Sequence, residues 1–199
     1  MLAEGFGMSA RLSLQRLAHR CLRGWLALTA CAMAATALAQ SPVRSIEVTH
    51  DGDTYVVKAQ VFAPVTQAIA WDVLTDFPNM AKWVPNVRDS TIVKPGGKQF
   101  TIEQRGTAKF AGPSFSYTSL REIVVNPQTT IESTQIKGSM KLQHSLMTVG
   151  PEGDGTRMQY QLEIVPSLLA SAVMSENFLK HEIDEQFTAI VGEMKKRKK

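Results

Sequence analysis

Two short segments near residue 50 alternate polar and apolar side chains, a pattern typical of strands that bury one face. They span residues 45–49 and 57–61, and Asp51-Gly52 between them is a strong signal for a hairpin turn. After Pro64, which suits a helix start, the period becomes helical. The positions that share one helical face are Val65, Ala68, Ile69, Val73 and Leu74. The chain is therefore predicted to open with a hairpin followed by a short helix.

A second short helix and a series of strands follow. Pro78 ends the first helix, and residues 79–83 can form another before Pro85. Turn residues then separate successive segments with strand-like patterns by only a few positions, which favours an antiparallel meander. The predicted strands are residues 89–93, 99–110, 115–125, 130–136, 141–149 and 157–165.

The last segment, residues 168–194, predicts one long amphipathic helix of roughly 40 Å. Its apolar face carries Leu179, Ile183, Phe187, Ile190 and Met194. The opposite face carries Asn177, His181, Asp184 and Thr188.

These elements predict an α+β fold with an antiparallel sheet of six or seven strands. An antiparallel sheet with one apolar face must cover that face. One helix is only ~10 Å wide, so the sheet has to curl around it. The remaining interior volume either fills with side chains or forms a pocket.

Strand alternation indicates which side chains face that interior. Gln104 and His144 stand out, because each is a polar residue on an otherwise apolar face and needs a hydrogen-bond partner there. His144 has three interpretations: a satisfied core histidine, a polar contact to a ligand, or a catalytic base. The predicted ligand-binding residues are Trp71, Phe100, Gln104, Phe110, Phe115, Tyr117, Met140, Leu142, His144, Tyr160, Leu162, Leu179 and Ile183.

Residues 61–93 resemble the opening of the START-like superfamily, which includes the polyketide cyclase/dehydrase and coenzyme Q-binding proteins. The residues that carry the resemblance are Ala63-Pro64, Trp71, Leu74, Asp76-Phe77, Trp83 and Pro85. The order of elements over residues 45–194 is also similar. The resemblance implies a helix-grip fold, in which the sheet encloses a cavity for lipids, isoprenoids, polyketides or other apolar ligands. An export signal departs from the coenzyme Q-binding members.

The N-terminal residues 1–39 are typical of a secretory signal peptide, and residues 40–199 of a single domain. A basic stretch precedes an uncharged run from residue 24 to the Ala37-Leu38-Ala39 cleavage site. That run is shorter than the ~20 apolar residues of a membrane span. The alternative is a lipoprotein processed at Cys31, and either Met1 or Met8 can be the start. We expect a periplasmic or secreted protein.

Composition limits the remaining chemistry. Of 22 Lys and Arg and 18 Asp and Glu, four Arg and one Glu precede residue 40, which leaves 18 basic and 17 acidic side chains. Five of these basic side chains form a tail: Lys195, Lys196, Arg197, Lys198 and Lys199. The body is mildly acidic, so we expect no nucleic-acid partner, and only weak membrane contact through that tail.

Both cysteines, Cys21 and Cys31, precede residue 40, which excludes thiol catalysis and cysteine-ligated metals in the mature chain. His50, Asp51 and Asp53 are explained by the hairpin, so we predict neither a metal nor a cofactor. The sequence does not determine the oligomeric state.

The predicted function is an exported binding or transfer protein for an apolar small molecule. One alternative is a cyclase- or hydrolase-type enzyme that acts in the same cavity, with His144 as the candidate base. Another is an accessory protein that binds a partner enzyme. No short catalytic motif favours the enzyme.

Overall fold

An eight-stranded antiparallel sheet curves around a C-terminal helix in the computed structural model, which describes residues 41–109 and 114–198. The predicted signal peptide, the Ala39 and Cys31 processing sites and Phe110 lie outside the described residues. The strands are β1 (Val43–Asp51), β2 (Thr54–Ala63), β3 (Val87–Lys94), β4 (Gln99–Ala108), β5 (Phe115–Asn126), β6 (Thr130–Gly138), β7 (Met140–Glu152) and β8 (Gly155–Pro166).

The strand order is β1-β2-β8-β7-β6-β5-β4-β3. Strands β3 to β8 form the predicted meander. The N-terminal hairpin turns at Gly52, whose φ of 57° is the left-handed conformation that glycine adopts freely. The hairpin then joins the same sheet, because β2 pairs with β8 in a register that sets Val57 opposite Leu162. The expected count of six or seven strands is therefore too low.

The first two helices lie between β2 and β3, as predicted. Helix α1 (Gln67–Leu74) begins at Thr66, whose hydroxyl accepts a hydrogen bond from the Ile69 N–H at 3.4 Å. This N-cap satisfies one of the free donors of the first turn. A 3-10 helix (Phe77–Lys82) follows. Together they place Leu74, Phe77 and Met80 in the core.

The prediction of one continuous helix from residue 168 is wrong. The segment contains a short helix α2 (Leu168–Ser171) and a long helix α3 (Glu176–Arg197). The backbone of Ser175 is extended, with φ −149° and ψ 166°, and its hydroxyl caps α3 by accepting from the Phe178 N–H at 3.1 Å. Helix α3 has 22 residues and is about 33 Å long.

Helix α3 packs its predicted apolar face into the concave side of the sheet. The side chains of Leu179, Ile183, Phe187, Ile190 and Met194 are all buried. The predicted polar face of Asn177, His181, Asp184 and Thr188 is exposed. Among the residues that the structure describes, no helix is long and apolar enough to cross a bilayer.

Candidate ligand cavity

A cavity lies between the concave face of the sheet and α3, in two adjoining chambers. The outer chamber, about 150 Å³, lies toward the start of α3, beside Met174 and Phe178. The inner chamber, about 90 Å³, lies farther along the helix, beside Phe187 and Ile190. Both chambers are lined by Val87, Gln104, Arg121, Tyr160 and Gln186. The boundary between the two chambers is therefore mainly polar.

Eight of the thirteen predicted ligand-binding residues line these chambers. They are Gln104, Phe115, Tyr117, Met140, Tyr160, Leu162, Leu179 and Ile183. Their contact with a ligand stays a prediction, while the faces of β4, β5, β8 and α3 are confirmed. Trp71 and Phe100 instead pack against the core outside both chambers. The Phe100 ring meets Phe77 edge to face, with ring centroids 5.6 Å apart.

The predicted face of β7 is wrong for Leu142 and His144. A register shift between Met140 and Leu142 interrupts the alternation, so Met140 lines the cavity while Leu142 points away and is 40% exposed. A slip of one residue moves every later side chain to the other face. The inward residues of β7 are Gln143, Ser145, Met147 and Val149.

His144 consequently lies on the outer face, and its side chain is 41% exposed. Its Nδ1 is 3.0 Å from the Thr134 hydroxyl on the neighbouring strand, and its Nε2 is 3.7 Å from a Glu132 carboxylate oxygen. The base that the enzyme alternative required is therefore absent from the cavity wall, and other titratable groups occupy it.

Arg121 is the most unusual of these groups. Its guanidinium donates a hydrogen bond to the Gln104 side-chain oxygen, while its Nε–H is buried without a partner. Within the described part of the chain, no carboxylate forms an ion pair with it, and Tyr160 and Tyr117 are the groups that act on it electrostatically. Burial lowers the pKa of Arg121, but an arginine remains charged in a protein. The cavity thus contains a positive charge that forms no ion pair with a described carboxylate.

Arg121 belongs to a row of polar side chains that crosses the apolar cavity wall, which we call the polar belt. The polar belt consists of Gln104, Ser119, Arg121, Ser133, Ser145 and Tyr160. Register pairs Gln104 with Ser119 and Ser133 with Ser145, so its members lie on adjacent strands. The hydroxyls of Ser119 and Ser133 are buried without a partner. Unpaired buried groups are costly, and a polar ligand group or ordered water would satisfy them.

Part of the polar belt is internally satisfied. The Gln104 amide nitrogen donates to the Ser90 hydroxyl at 3.0 Å, which fixes the amide so that its oxygen faces Arg121. The Tyr160 hydroxyl shares a hydrogen bond with Ser145. Burial raises the pKa of Tyr160, so its hydroxyl stays protonated at neutral pH.

Tyr117 lines the outer chamber, opposite a glycine. Its hydroxyl donates to the Asn86 carbonyl oxygen at 3.1 Å. The residue paired with Tyr117 on the neighbouring strand β4 is Gly106. A Cβ at Gly106 would stand 2.6 Å from the Tyr117 oxygen and 1.9 Å from the Asn86 oxygen, so a larger residue cannot fit. Burial raises the pKa of Tyr117 to about 12; the Arg121 charge opposes this rise and the weaker effect of the Glu182 charge adds to it.

Glu182 is a buried acid that α3 contributes to the outer chamber. One carboxylate oxygen accepts from the Asn86 amide at 2.7 Å, and the other accepts from the Lys109 backbone N–H at 3.2 Å. Burial raises the pKa of Glu182 despite these two hydrogen bonds. The acid thereby ties the helix to the start of β3 and the end of β4.

A metal ion could be held by one group of side chains in the described residues. The ligand atoms of His181, Glu182 and Glu185 all lie within 4.8 Å of one another. Both Glu182 oxygens already accept hydrogen bonds, so this cluster is explained without an ion. At the first hairpin, His50 stacks on Tyr55, and the Asp53 carboxylate lies 3.5 Å from the Lys141 ammonium.

Arg121 and Glu182 are not among the predicted ligand-binding residues, although the sequence pattern places both on inward faces. Arg121 has the same parity along β5 as Phe115 and Tyr117, so extending that alternation places it inside. Glu182 follows Leu179 by three positions, which puts both on one helical face. Charge made both residues look like surface residues, since Arg and Glu are seldom fully buried.

Comparison with known proteins agrees with this geometry. Residues 54–195 match the model of the family described as polyketide cyclase / dehydrase and lipid transport. No curated protein matches the chain in sequence. The fold is similar to that of a protein from Thermus thermophilus, with a TM-score of 0.62 and 14% identity over 72% of this chain and 99% of that one.

Two further solved structures share the fold. The Zhui aromatase/cyclase from a Streptomyces species has a TM-score of 0.61 and 14% identity, covering 72% of this chain and 95% of that one. A STAR-related lipid transfer protein from Xanthomonas axonopodis has a TM-score of 0.53 and 14% identity, covering 75% and 98%. The helix-grip architecture is thus the one predicted. The chain belongs to the polyketide cyclase/dehydrase and lipid transport family.

Proposed function

We propose that this chain is an exported binding or transfer protein for an amphiphilic small molecule with an anionic oxygen group. The observation that carries the proposal is Arg121, whose Nε–H is buried and which, among the described residues, forms no ion pair inside a largely apolar cavity. A carboxylate or similar anion would pair with the guanidinium and accept from its free Nε–H. The apolar part of the ligand would occupy the chambers on either side of the polar belt.

The shape of the cavity supports a ligand of modest size. A typical small-molecule site is largely apolar, with a few converging polar groups, and occupies ~300–1,000 Å³. The two chambers, about 150 and 90 Å³, lie below that range. A molecule with one polar group near its middle, or a short-chain amphiphile, matches this arrangement better than a long lipid does.

Export is the part of the proposal that rests on residues 1–39 alone. The basic stretch, the apolar run and Ala37-Leu38-Ala39 support a cleaved signal peptide. N-terminal sequencing of protein from the periplasm or medium should begin at Gln40. A mature chain that begins with a lipid-modified Cys31 would replace this prediction with the lipoprotein alternative.

A cyclase-type enzyme is the second candidate, and Glu182 is the observation that favours it. A carboxylate in a cavity whose pKa is raised by burial is a stronger base than an exposed carboxylate. Glu182 would take a proton from a carbon beside a ligand carbonyl, and the resulting oxyanion would be stabilised by Arg121. Turnover of a poly-β-carbonyl substrate that falls strongly in Glu182→Gln would favour this candidate over the carrier.

Binding of a matched pair of probes tests the central proposal. Decanoate and decanol share a chain length and differ in the charge of the head group. Isothermal titration calorimetry should show that decanoate binds roughly ten- to a hundredfold more tightly, because a hydrogen bond to a charged group contributes about 1.5–3 kcal/mol. Equal affinities, or no binding of either probe, would contradict the assignment of an anion site.

A further inference from the structure

Two adjacent leucines between β8 and α3 lie almost entirely in solvent. Leu168 is 86% exposed and Leu169 is 80% exposed. A single exposed leucine is common, whereas larger groups of exposed apolar side chains often belong to interaction sites. The turn that presents them is well anchored, because Ala170 is fully buried and its N–H donates to the Ser167 hydroxyl at 3.3 Å. The leucines are thus held outward by a structured turn.

Two more exposed apolar side chains lie at the same end of the sheet. Ile136, near the end of β6, is 58% exposed, and Leu142, near the start of β7, is 40% exposed. Leu142 pairs with Val165, three residues before Leu168. We call Ile136, Leu142, Leu168 and Leu169 the leucine patch. Two exposed lysines, Lys137 and Lys141, belong to the same β6–β7 hairpin.

Residues on both sides of the two leucines line the outer chamber. Met140 lines that chamber and pairs with Pro166, two residues before Leu168. On the other side of the leucines, Met174 follows α2 and also lines the outer chamber. The exposed apolar surface is therefore continuous along the chain with the wall of the cavity.

We propose that the leucine patch inserts into the surface of a lipid bilayer and holds the outer chamber against it. Four side chains are far fewer than the roughly 20–30 residues per partner of a stable protein interface. Leucines that enter the acyl boundary, by contrast, gain hydrophobic energy without a shaped partner, and lysines beside them can contact headgroup phosphates. Docking beside the cavity would let an amphiphilic ligand pass from the bilayer into the outer chamber. This benefit of docking rests on the proposed function.

The C-terminal tail offers a control at the other end of the molecule. Helix α3 spans about 33 Å between Glu176, near the leucines, and Arg197. Arg197 forms an ion pair with Asp76 at 2.7 Å, and Lys198 donates to the Pro64 carbonyl oxygen at 2.6 Å. Binding through the tail and binding through the leucine patch would therefore place the protein on a membrane in opposite orientations.

Vesicle flotation distinguishes the two surfaces. The probe is phosphatidylcholine vesicles containing about one part in four of phosphatidylglycerol. The wild-type protein should co-float, and Leu168→Ser with Leu169→Ser should weaken partitioning about tenfold or more, equivalent to about 1.4 kcal/mol. The controls are Lys195→Gln with Lys196→Gln and, for an exposed apolar pair on the edge strand β3, Ile92→Ser with Val93→Ser. Both controls should co-float like the wild-type protein.

A fluorescent variant reports insertion directly. Leu168→Trp should shift its emission to the blue when these vesicles are added, because the indole leaves water. Wild-type protein that stays with the soluble fraction would overturn the proposal, as would a tail variant that loses binding while the leucine variant keeps it. Decanoate binding without vesicles is measured on the same variants. A leucine variant that no longer floats but still binds decanoate supports the leucine patch as the membrane contact. Failure of the wild-type protein to bind decanoate contradicts only the proposed function.

Discussion

Replacing Arg121 with glutamine should make the empty protein more stable and the binding site worse. The change removes a partly buried charge that has no ion-pair partner among the described residues, but it keeps an amide that can donate to the Gln104 oxygen. A protein usually becomes less stable when a residue with a structural role is replaced. A gain in stability that accompanies a loss of binding therefore indicates a residue retained for its ligand.

The expected magnitude follows from three effects at this position. Replacing a buried ion pair by uncharged groups of similar volume is often neutral or stabilising by about 1–4 kcal/mol, and a charge without a partner lacks even the attraction within such a pair. The shorter side chain gives up about 0.8 kcal/mol for a buried methylene. Arg121 already borders both chambers, so the truncation enlarges an existing cavity instead of creating a closed one. From these effects we expect the free energy of unfolding to rise, by at most about 3 kcal/mol.

Urea unfolding at neutral pH, on protein stripped of bound ligand, measures the stability, and titration with decanoate measures the affinity. Arg121→Gln should lose roughly ten- to a hundredfold in decanoate affinity while decanol affinity changes little. Arg121→Lys, which keeps the charge, should retain the preference for decanoate. An Arg121→Gln variant that is destabilised by about 1 kcal/mol or more and binds decanoate normally would show that Arg121 is structural.

Three further predictions test the helix, the buried acid and the outer face of β7. Phe187→Ala should lower the free energy of unfolding by about 3–5 kcal/mol, because Phe187 is buried against Tyr160; unchanged urea midpoint and slope would contradict the grip of the sheet on α3. The raised pKa of Glu182 means that the folded protein keeps a proton there that the unfolded chain has released, so the contribution of Glu182 to stability falls as the pH rises above about 4.5. The free energy of unfolding in urea should therefore decline less steeply with pH in Glu182→Gln than in the wild-type protein. Parallel pH profiles of the two proteins would refute the assignment. His144→Gln should leave decanoate affinity unchanged, because His144 lies outside the cavity, and a loss of about tenfold would restore it as a ligand contact.

The sequence alone determined the elements and most of the faces. Alternation along β4 and β8 and the spacing of Leu179, Ile183 and Phe187 depend on local geometry, since side chains repeat every two residues in a strand and about every 3.6 in a helix. Where no irregularity intervened, this periodicity separated inside from outside. The same argument predicted a curved sheet around one helix, because a single helix cannot cover so many strands.

Only the tertiary structure decided the chemistry of the cavity. The register shift after Met140 depends on how β7 pairs with β8, and it moved His144 out of the site. Arg121 and Glu182 lie 61 positions apart in the numbering of the chain, and only the folding of α3 into the sheet brings both to one chamber. Hydrophobic patterning reports the average preference of each residue type, so it assigns charged residues to the surface. A buried charge is an exception that long-range packing creates, and no local pattern records the partners that surround it.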